Sequence, residues 1–376
     1  MKDLLQLRKE IDELDTTLVE LYEKRMALAE HVAEYKITTG KQVMDKEREL
    51  EKLERVCRLA HSDFNKHGVK ELFEQIMAMS RKRQYQMLTA HGMVSESDFV
   101  EIEKLPMENV KIVFQGVEGA YSQHAMEEFF GKDIQSMHVD TWKDAMECIT
   151  RNEADYAVLP IENSSAGIVS ENYDLLMEYD TCIVGEQIIK IDHCLLGLLT
   201  TDLDKITQVY SHPQGLMQCS NFFDENRQID SISVKNTAVA AKKIKEDNQN
   251  NQAAIASALT ADIYGLKILK SKVQDNPLNS TRFIIVSGKK VFCKESQKIS
   301  ICFEIPHESG SLYHTLSHFI YNDLNMNKIE SRPIKNKNWE YRFFVDFEGN
   351  LKDSAVINAL KGLQEETNKL KILGNY

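Results

Sequence analysis

The sequence predicts a multidomain chain with an all-α three-helix domain first, a two-lobed α/β domain next and a ferredoxin-like α+β region last. Three observations carry this. The first of six prolines in 376 residues is Pro106, and residues 1–90 hold only two glycines, Gly40 and Gly68. From Lys111 short apolar runs alternate with helical patterns, the rhythm of α/β architecture. Beyond residue 298 the order becomes β-α-β-β-α-β, the ferredoxin-like motif.

The first segment predicts helices over about 3–38, 45–64 and 69–88, with the two glycines as punctuation. The first helix carries Leu4, Leu7, Ile11, Leu14, Leu18, Leu21, Leu28, Val32 and Tyr35, a sustained heptad seam. At 1.5 Å per residue this helix is roughly 50 Å long. Ninety residues cannot cover it, so a partner chain is expected to. Arg25 interrupts the seam between Leu21 and Leu28, and a buried guanidinium demands an anion. The third helix puts Phe73, Met77, Ser80, Gln84 and Met87 on one face. These features fit either a dimerising coiled coil with a buried polar register device or a cation-walled pocket for a small polyanion.

Residues 91–107, with Ser95, Ser97, Asp98 and Pro106, read as a linker. Strands are expected at 111–115, 135–139, 155–159, 183–191, 194–199, 232–234, 253–256 and 281–286. Helices are expected at 121–130, 141–151, 213–224 and 236–246. The long return around 183–199 suggests two lobes with a cleft. Polar clusters fall at strand ends: Glu162 to Gly167, Ser211-His212-Pro213-Gln214, Asn236-Thr237-Ala238 and Asn279 to Phe283. Each alone reads as a cap or turn, whereas four in one sheet system fit a ligand crevice. Gly116-x-x-Gly119 is a weak anion-loop signal, equally a tight turn. In the last region strands are expected at 298–305, 326–332 and 339–347, helices at 309–322 and 353–370, and a short ending at 371–374.

Composition excludes several classes. With 46 basic against 58 acidic residues the formal net charge is -12, a poor match to nucleic acid. Residues 1–90 hold 17 of each sign, so the whole excess lies later. No apolar run approaches the ~18 residues of a membrane span, and the charged opening does not read as a signal peptide. Seven scattered cysteines, none in a Cys-x-x-Cys pair, read as reduced thiols of a cytoplasmic protein. No histidine pair has metal-ligand spacing, and His212 before a proline reads as structural. The expectation is no metal and no cofactor.

With these residues in view, the first 90 positions resemble the all-helical chorismate mutases. The matching set is Arg8, Arg25, Lys36, Asp45, Arg48, Glu49, Ser80 and Gln84. The resemblance implies an intertwined homodimer in which Arg8 reaches the partner's site. Arg8 and Arg25 are roughly 25 Å apart along one helix, too far for one small molecule, whereas Arg25 and Lys36 are roughly 16 Å apart. It implies rearrangement of chorismate to prephenate. Arg8, Arg25 and Arg48 would hold the carboxylates, Glu49 the ring hydroxyl, and Lys36 and Gln84 the ether oxygen. Asp45 and Ser80 would support them.

Residues 108–288 resemble prephenate dehydratase, through Gly116-x-x-Gly119-Ala120-Tyr121-Ser122, Glu162 to Gly167, Ser211 to Gln214, Ala253 to Ser257 and above all Thr281-Arg282-Phe283. The resemblance implies conversion of prephenate to phenylpyruvate, with Thr281 at the departing hydroxyl and Asn163, Ser211 and Gln218 lining the site. Arg282 would be a carboxylate partner or structural. Residues 296–376 resemble an ACT domain. Glu330-Ser331-Arg332-Pro333 matches the phenylalanine-binding motif, and Gly310-Ser311-Leu312 stands where the family has Gly-Ala-Leu. The implied role is feedback inhibition by phenylalanine at a subunit interface. The expected division is 1–90, linker 91–107, 108–288 and 296–376. The whole resembles the bifunctional chorismate mutase–prephenate dehydratases. The alternatives are a non-catalytic amino-acid-sensing binding protein with a helical dimeriser, and a mutase joined to a dehydrogenase. The latter lacks a Gly-x-Gly-x-x-Gly loop.

Overall fold

The computed structural model describes residues 3–92, 98–335 and 337–376. It divides into two compact units. One joins the described residues before Asp98 to Cys302–Leu370, and the other joins Asp98–Ile301 to Lys371–Tyr376.

The first unit opens with α1 (Leu4–Thr39), α2 (Lys46–Leu59) and α3 (Asp63–Ala90). Gly40 ends α1 in the left-handed region at φ 68°, and its N–H reaches the Lys36 carbonyl. Asp45 caps α2 by accepting from the Arg48 N–H, and Ser62 caps α3 by accepting from the Asn65 N–H. The cap at Ser62 sets the boundary, so Gly68 lies inside α3 and not between helices as the sequence suggested. The α1 seam is uncovered among the described residues: Leu4, Leu7, Ile11, Leu14, Leu18, Leu21, Leu28, Val32 and Tyr35 are 40% to 65% exposed. In contrast, α3 is buried on two faces, one through Met77, Ser80 and Gln84, the other through Arg81, Tyr85 and Leu88.

The second unit contains β1 (Val100–Ile102), β2 (Lys111–Gln115), α4 (Tyr121–Phe130), β3 (Gln135–Val139), α5 (Trp142–Thr150), β4 (Tyr156–Asn163), β5 (Gly167–Ile168), α6 (Ser170–Glu178) and β6 (Cys182–Lys190). There follow β7 (Cys194–Gly197), β8 (Gln208–Ser211), α7 (Pro213–Met217), α8 (Ser220–Glu225), β9 (Asp230–Ser233), α9 (Thr237–Asp247), β10 (Gln252–Ala256), α10 (Ala258–Tyr264), β11 (Lys267–Lys270), β12 (Ser280–Ser287) and β13 (Val291–Cys293). One lobe is built on the strand order β6-β12-β4-β2-β3 and the other on β11-β7-β10-β8-β9. The chain passes between lobes twice, after β6 and after β11. Apolar strands such as Ala253-Ala254-Ile255-Ala256 are buried on both faces, with Leu196, Ala240 and Ile244 on one side of that sheet and Val209, Phe222 and Leu195 on the other.

Within the segment read as a linker, β1 pairs in parallel with β13, Val100 opposite Val291. Ser95 and Ser97 lie outside the described residues. The helix expected at 213–224 is two, because Asp275 accepts from the N–H groups of Ser220 and Asn221 and starts α8 anew.

The C-terminal region supplies β14 (Lys298–Glu304), α11 (Ser311–Tyr321), β15 (Met326–Pro333), β16 (Tyr341–Glu348), α12 (Ser354–Glu366) and β17 (Lys369–Asn375), in the strand order β15-β16-β14-β17. In the first unit its packing centres on Phe303, Phe319, Phe347, Val356 and Leu363. Among the described residues no helix is long and apolar enough to cross a membrane.

Two candidate active sites

In the helical site Arg25 leaves the α1 seam for α3. Its Nη1 donates to Ser80 Oγ at 2.5 Å and to the Ile76 carbonyl at 3.4 Å. Neither partner is an anion. Lys36 donates to the Val43 carbonyl. Burial lowers the pKa of Arg25, with Tyr22 and Glu49 only partly opposing it. Lys36 is lowered in the same way, against Asp45, Glu49 and Glu365. Lys52, which sequence reasoning missed, is lowered by burial and then by Arg25, Arg48 and Arg55. At all three cations burial outweighs the negative charge nearby, a balance that a bound anion would redress. Gln84 donates to the Ser80 carbonyl, and its Oε1 is buried without a partner.

Not every expected residue joins the group. Arg8 is exposed on α1, far from Arg25, and Arg48 is exposed with its backbone N–H held by Asp45. Glu49 does join it, acting on both Arg25 and Lys36, and is held by Arg81 at 2.5 Å from Nη1; Arg81 also reaches Glu366 on α12 at 2.9 Å. Arg81 was missed because the pattern on α3 assigns it to no apolar face. Its burial shows only when α12 is present. Removing one member of such a buried ion pair costs about 3–5 kcal/mol.

In the α/β unit a cavity of about 390 Å³ opens between the lobes, within the size range of small-molecule sites. Thr281 on β12 faces Asn163 on β4, in register. The Asn163 amide donates to Thr281 Oγ1 at 2.9 Å, to Asn279 Oδ1 at 2.9 Å and to the Ser280 carbonyl at 3.2 Å. Gln218 donates from the opposite lobe to Asn163 Oδ1 at 3.4 Å. Thr281 and Phe283, two apart on β12, share a face and both line the cavity, and the register shift opposite them falls at Ile161 of β4.

Arg282 does not line it. Its Nε donates to Glu186 Oε2 at 2.7 Å and its Nη2 to Tyr376 Oη at 2.7 Å. Of the two readings of Arg282, carboxylate partner or structural, these contacts fit the structural one. Ser211 is fully buried behind the wall, donating to the Ile255 carbonyl at 2.7 Å. A Cβ on Gly215 would meet its Oγ at 2.7 Å, so glycine is needed there to seat α7. Sequence reasoning missed His193, which is buried where the chain crosses between lobes. Its Nε2 meets Gln218 Oε1 at 3.1 Å and its Nδ1 meets Tyr121 Oη at 3.1 Å. Burial lowers the pKa of His193 and, independently, of His212.

The cavity lining contains no lysine or arginine. It contains instead the opening residues of helices: Ala120, Tyr121 and Ser122 of α4, Trp142 of α5, Val169 before α6, and Asn236 and Thr237 of α9. Helix starts present backbone N–H groups and positive dipole ends, a fit for carboxylates without cationic side chains. Gly116 and Gly119 have φ of 121° and 87°, and the Gly119 N–H is already bonded to Gln123. That loop is a tight turn.

Among the described residues, the cavity that the first C-terminal motif borders is not lined by the second. Gly310, Ser311 and Leu312 border a space of about 190 Å³ with Tyr341 and Phe343, whereas Glu330, Ser331, Arg332 and Pro333 lie along the edge strand β15. Among the described residues no group of three or more His, Cys, Asp or Glu is placed to hold a metal ion.

These features fit a small-molecule enzyme with two candidate sites, one among the N-terminal helices and one in an α/β cleft. Residues 7–85 match the chorismate mutase type II family model and residues 112–291 the prephenate dehydratase model. A bifunctional chorismate mutase/prephenate dehydratase of Aquifex aeolicus is 34% identical, with 100% of this chain and 98% of that protein covered. Two solved structures are each 30% identical and match 71% of this chain. A prephenate dehydratase from Arthrobacter aurescens in complex with L-Phe has a TM-score of 0.66 and is covered over 89% of its length. A protein described as the quorum-quenching acylase GqqA has a TM-score of 0.65 and is covered over 97%. The chain belongs to the bifunctional chorismate mutase/prephenate dehydratase family.

Proposed function

We propose that this chain is a two-activity enzyme of phenylalanine biosynthesis, rearranging chorismate to prephenate in the helical site and converting prephenate to phenylpyruvate in the cleft. The rearrangement is pericyclic and needs no nucleophile, so the site has to fold the substrate and stabilise charge. Arg25 and Arg48, with Arg8 from a second chain, take the two carboxylates. Lys36 and Gln84 donate to the ether oxygen as its bond breaks, and Glu49 accepts from the ring hydroxyl. Asp45 and Ser80 hold Arg48 and Arg25 in place.

In the cleft the substrate's ring carboxylate leaves as CO2. Its bonding electrons enter the ring as the C–O bond to the hydroxyl breaks, and the ring becomes aromatic. Departing hydroxide needs a proton or a hydrogen bond. The observation that carries the assignment is the state of Thr281: its Oγ1 accepts from Asn163 and has no acceptor of its own among the described residues. Its proton can therefore point at the leaving group. Gln218 and Phe283 complete the wall, and the helix starts take the carboxylates. An acyl-transfer reading is not favoured, because Ser122 and Ser211 both spend their protons on backbone carbonyls.

The uncovered α1 seam supports a homodimer, in which the first 90 residues intertwine and the site borrows Arg8. The C-terminal element and strand orders support an ACT domain over 296–376, following a dehydratase domain over 108–288 and a linker over 91–107. Phenylalanine bound by Gly310, Ser311 and Leu312 with the partner's copy of Glu330 to Pro333 would then inhibit the dehydratase. The separation of the two motifs within one chain favours such a shared site. The scattered cysteines, none in a Cys-x-x-Cys pair, support a cytoplasmic protein.

Chorismate supplied to the purified protein without cofactor should yield phenylpyruvate. Gln84→Ala should lower mutase turnover about 10²–10³-fold and spare the dehydratase, and Thr281→Ala should do the reverse. Equal loss of both activities in either variant contradicts the assignment.

A further inference from the structure

Arg81 has no part in the roles assigned above, yet few side chains in the first unit are so constrained. It is 8% exposed, and its two guanidinium nitrogens hold carboxylates from different regions of the chain. Nη1 lies 2.5 Å from Glu49 Oε2 on α2, and Nη2 lies 2.9 Å from Glu366 Oε1 on α12. The other Glu366 oxygen lies 3.0 Å from His318 Nε2 on α11. A guanidinium is a rigid planar fork, so a shift of the carboxylate on one prong re-aims the carboxylate on the other. Burial works against charge on Arg81, and the two glutamates more than offset it, leaving its pKa raised.

The α3–α12 seam does not depend on this residue alone. Tyr85 donates to Glu365, and Thr89 Oγ1 lies 3.3 Å from Asn358 Oδ1. Neither contact touches Glu49, but Glu365 also acts on Lys36. The Thr89–Asn358 contact is therefore the internal control, since it holds only the helices.

We propose that Arg81 is a positioning residue for the mutase, fixing the Glu49 carboxylate toward the substrate's ring hydroxyl and tying its orientation to α12 through Glu366. The proposal rests on the assignment of Glu49 to the mutase site. A hydroxyl bonded by Glu49 is held in ground state and transition state alike, so disturbing it acts on KM more than on kcat.

The test is chorismate kinetics on the full chain carrying Glu366→Gln, Thr89→Val, Arg81→Lys or Arg81→Ala, with Glu49→Gln alongside. Glu366→Gln should raise KM for chorismate roughly tenfold at little changed kcat, the size of a lost charge-assisted hydrogen bond. Thr89→Val should leave KM as it was. Arg81→Lys keeps one charged contact and should recover part of the loss seen in Arg81→Ala. A wild-type KM in Glu366→Gln, or equal losses in Glu366→Gln and Thr89→Val, overturns the proposal. Unchanged kinetics in Glu49→Gln would instead remove the site assignment beneath it, a result read independently of Glu366.

Discussion

The helical site and the α/β cleft are assigned ligands of one kind, small dianions, yet they are built by opposite means. The cleft wall holds no lysine or arginine and meets its ligand with helix starts and the neutral side chains of Thr281, Asn163 and Gln218. Those groups are already fixed by bonds to one another inside one unit. The helical site gathers Arg25, Lys36 and Lys52, whose burial is not matched by anions, beside a seam of apolar residues left open. A site closed within one chain can work with preorganised dipoles. A site completed by another chain and by its ligand carries uncompensated charge until both arrive.

That contrast can be broken by attacking the seam. Leu14→Glu puts a charge at the middle of the open α1 face, where Leu14 is 65% exposed in the single chain. The expected result is dissociation to monomers with mutase activity down at least about tenfold and dehydratase turnover retained. Sedimentation and the two assays on one preparation check it. Full mutase activity in a monomeric variant would erase the contrast.

A smaller effect sharpens it from the cleft side. Burial holds the folded pKa of His193 below its ordinary value, so the unfolded chain takes up a proton that the folded chain refuses. Stability from this neutral imidazole is complete above the unfolded pKa of about 6.5 and is lost as pH falls from there toward the folded value. His212 is displaced in the same direction. Thermal melts should therefore fall on acidification below about pH 6.5, and His193→Gln should flatten part of that slope. A slope unchanged by the substitution counts against His193 as a buried neutral group.

Much of this was legible in the sequence because period and punctuation coincide with structure. The α1 heptads, the Gly40 stop and the strands at 111–115 and 135–139 needed no tertiary information. Asn163, which ends β4, and Thr281, at the start of β12, stand in polar clusters that each read alone as a cap or turn, and the resemblance to prephenate dehydratase is what singles them out. What escaped depends on distant partners. Asp275 splits a helix across 55 positions of sequence, and β1 forms because β13 offers an edge. Arg282 turns away from the cavity because Glu186 and Tyr376 wait on the other face of β12. Arg81 looks like one more surface charge on α3 until Glu366 arrives from 285 positions away. Ser211 shares its strand end with the lining residues, yet its hydroxyl points to Ile255.

The claim that the helical site needs two chains, whereas the cleft needs one, is tested most directly by complementation. Arg8→Ala and Gln84→Ala should each be nearly inactive as mutases when purified alone. If Arg8 serves the partner's site, mixed dimers contain one site with both residues intact. After subunit exchange an equimolar mixture should then recover about a quarter of wild-type mutase activity, with dehydratase activity constant throughout. A mixture no more active than the sum of its parents would contradict the account.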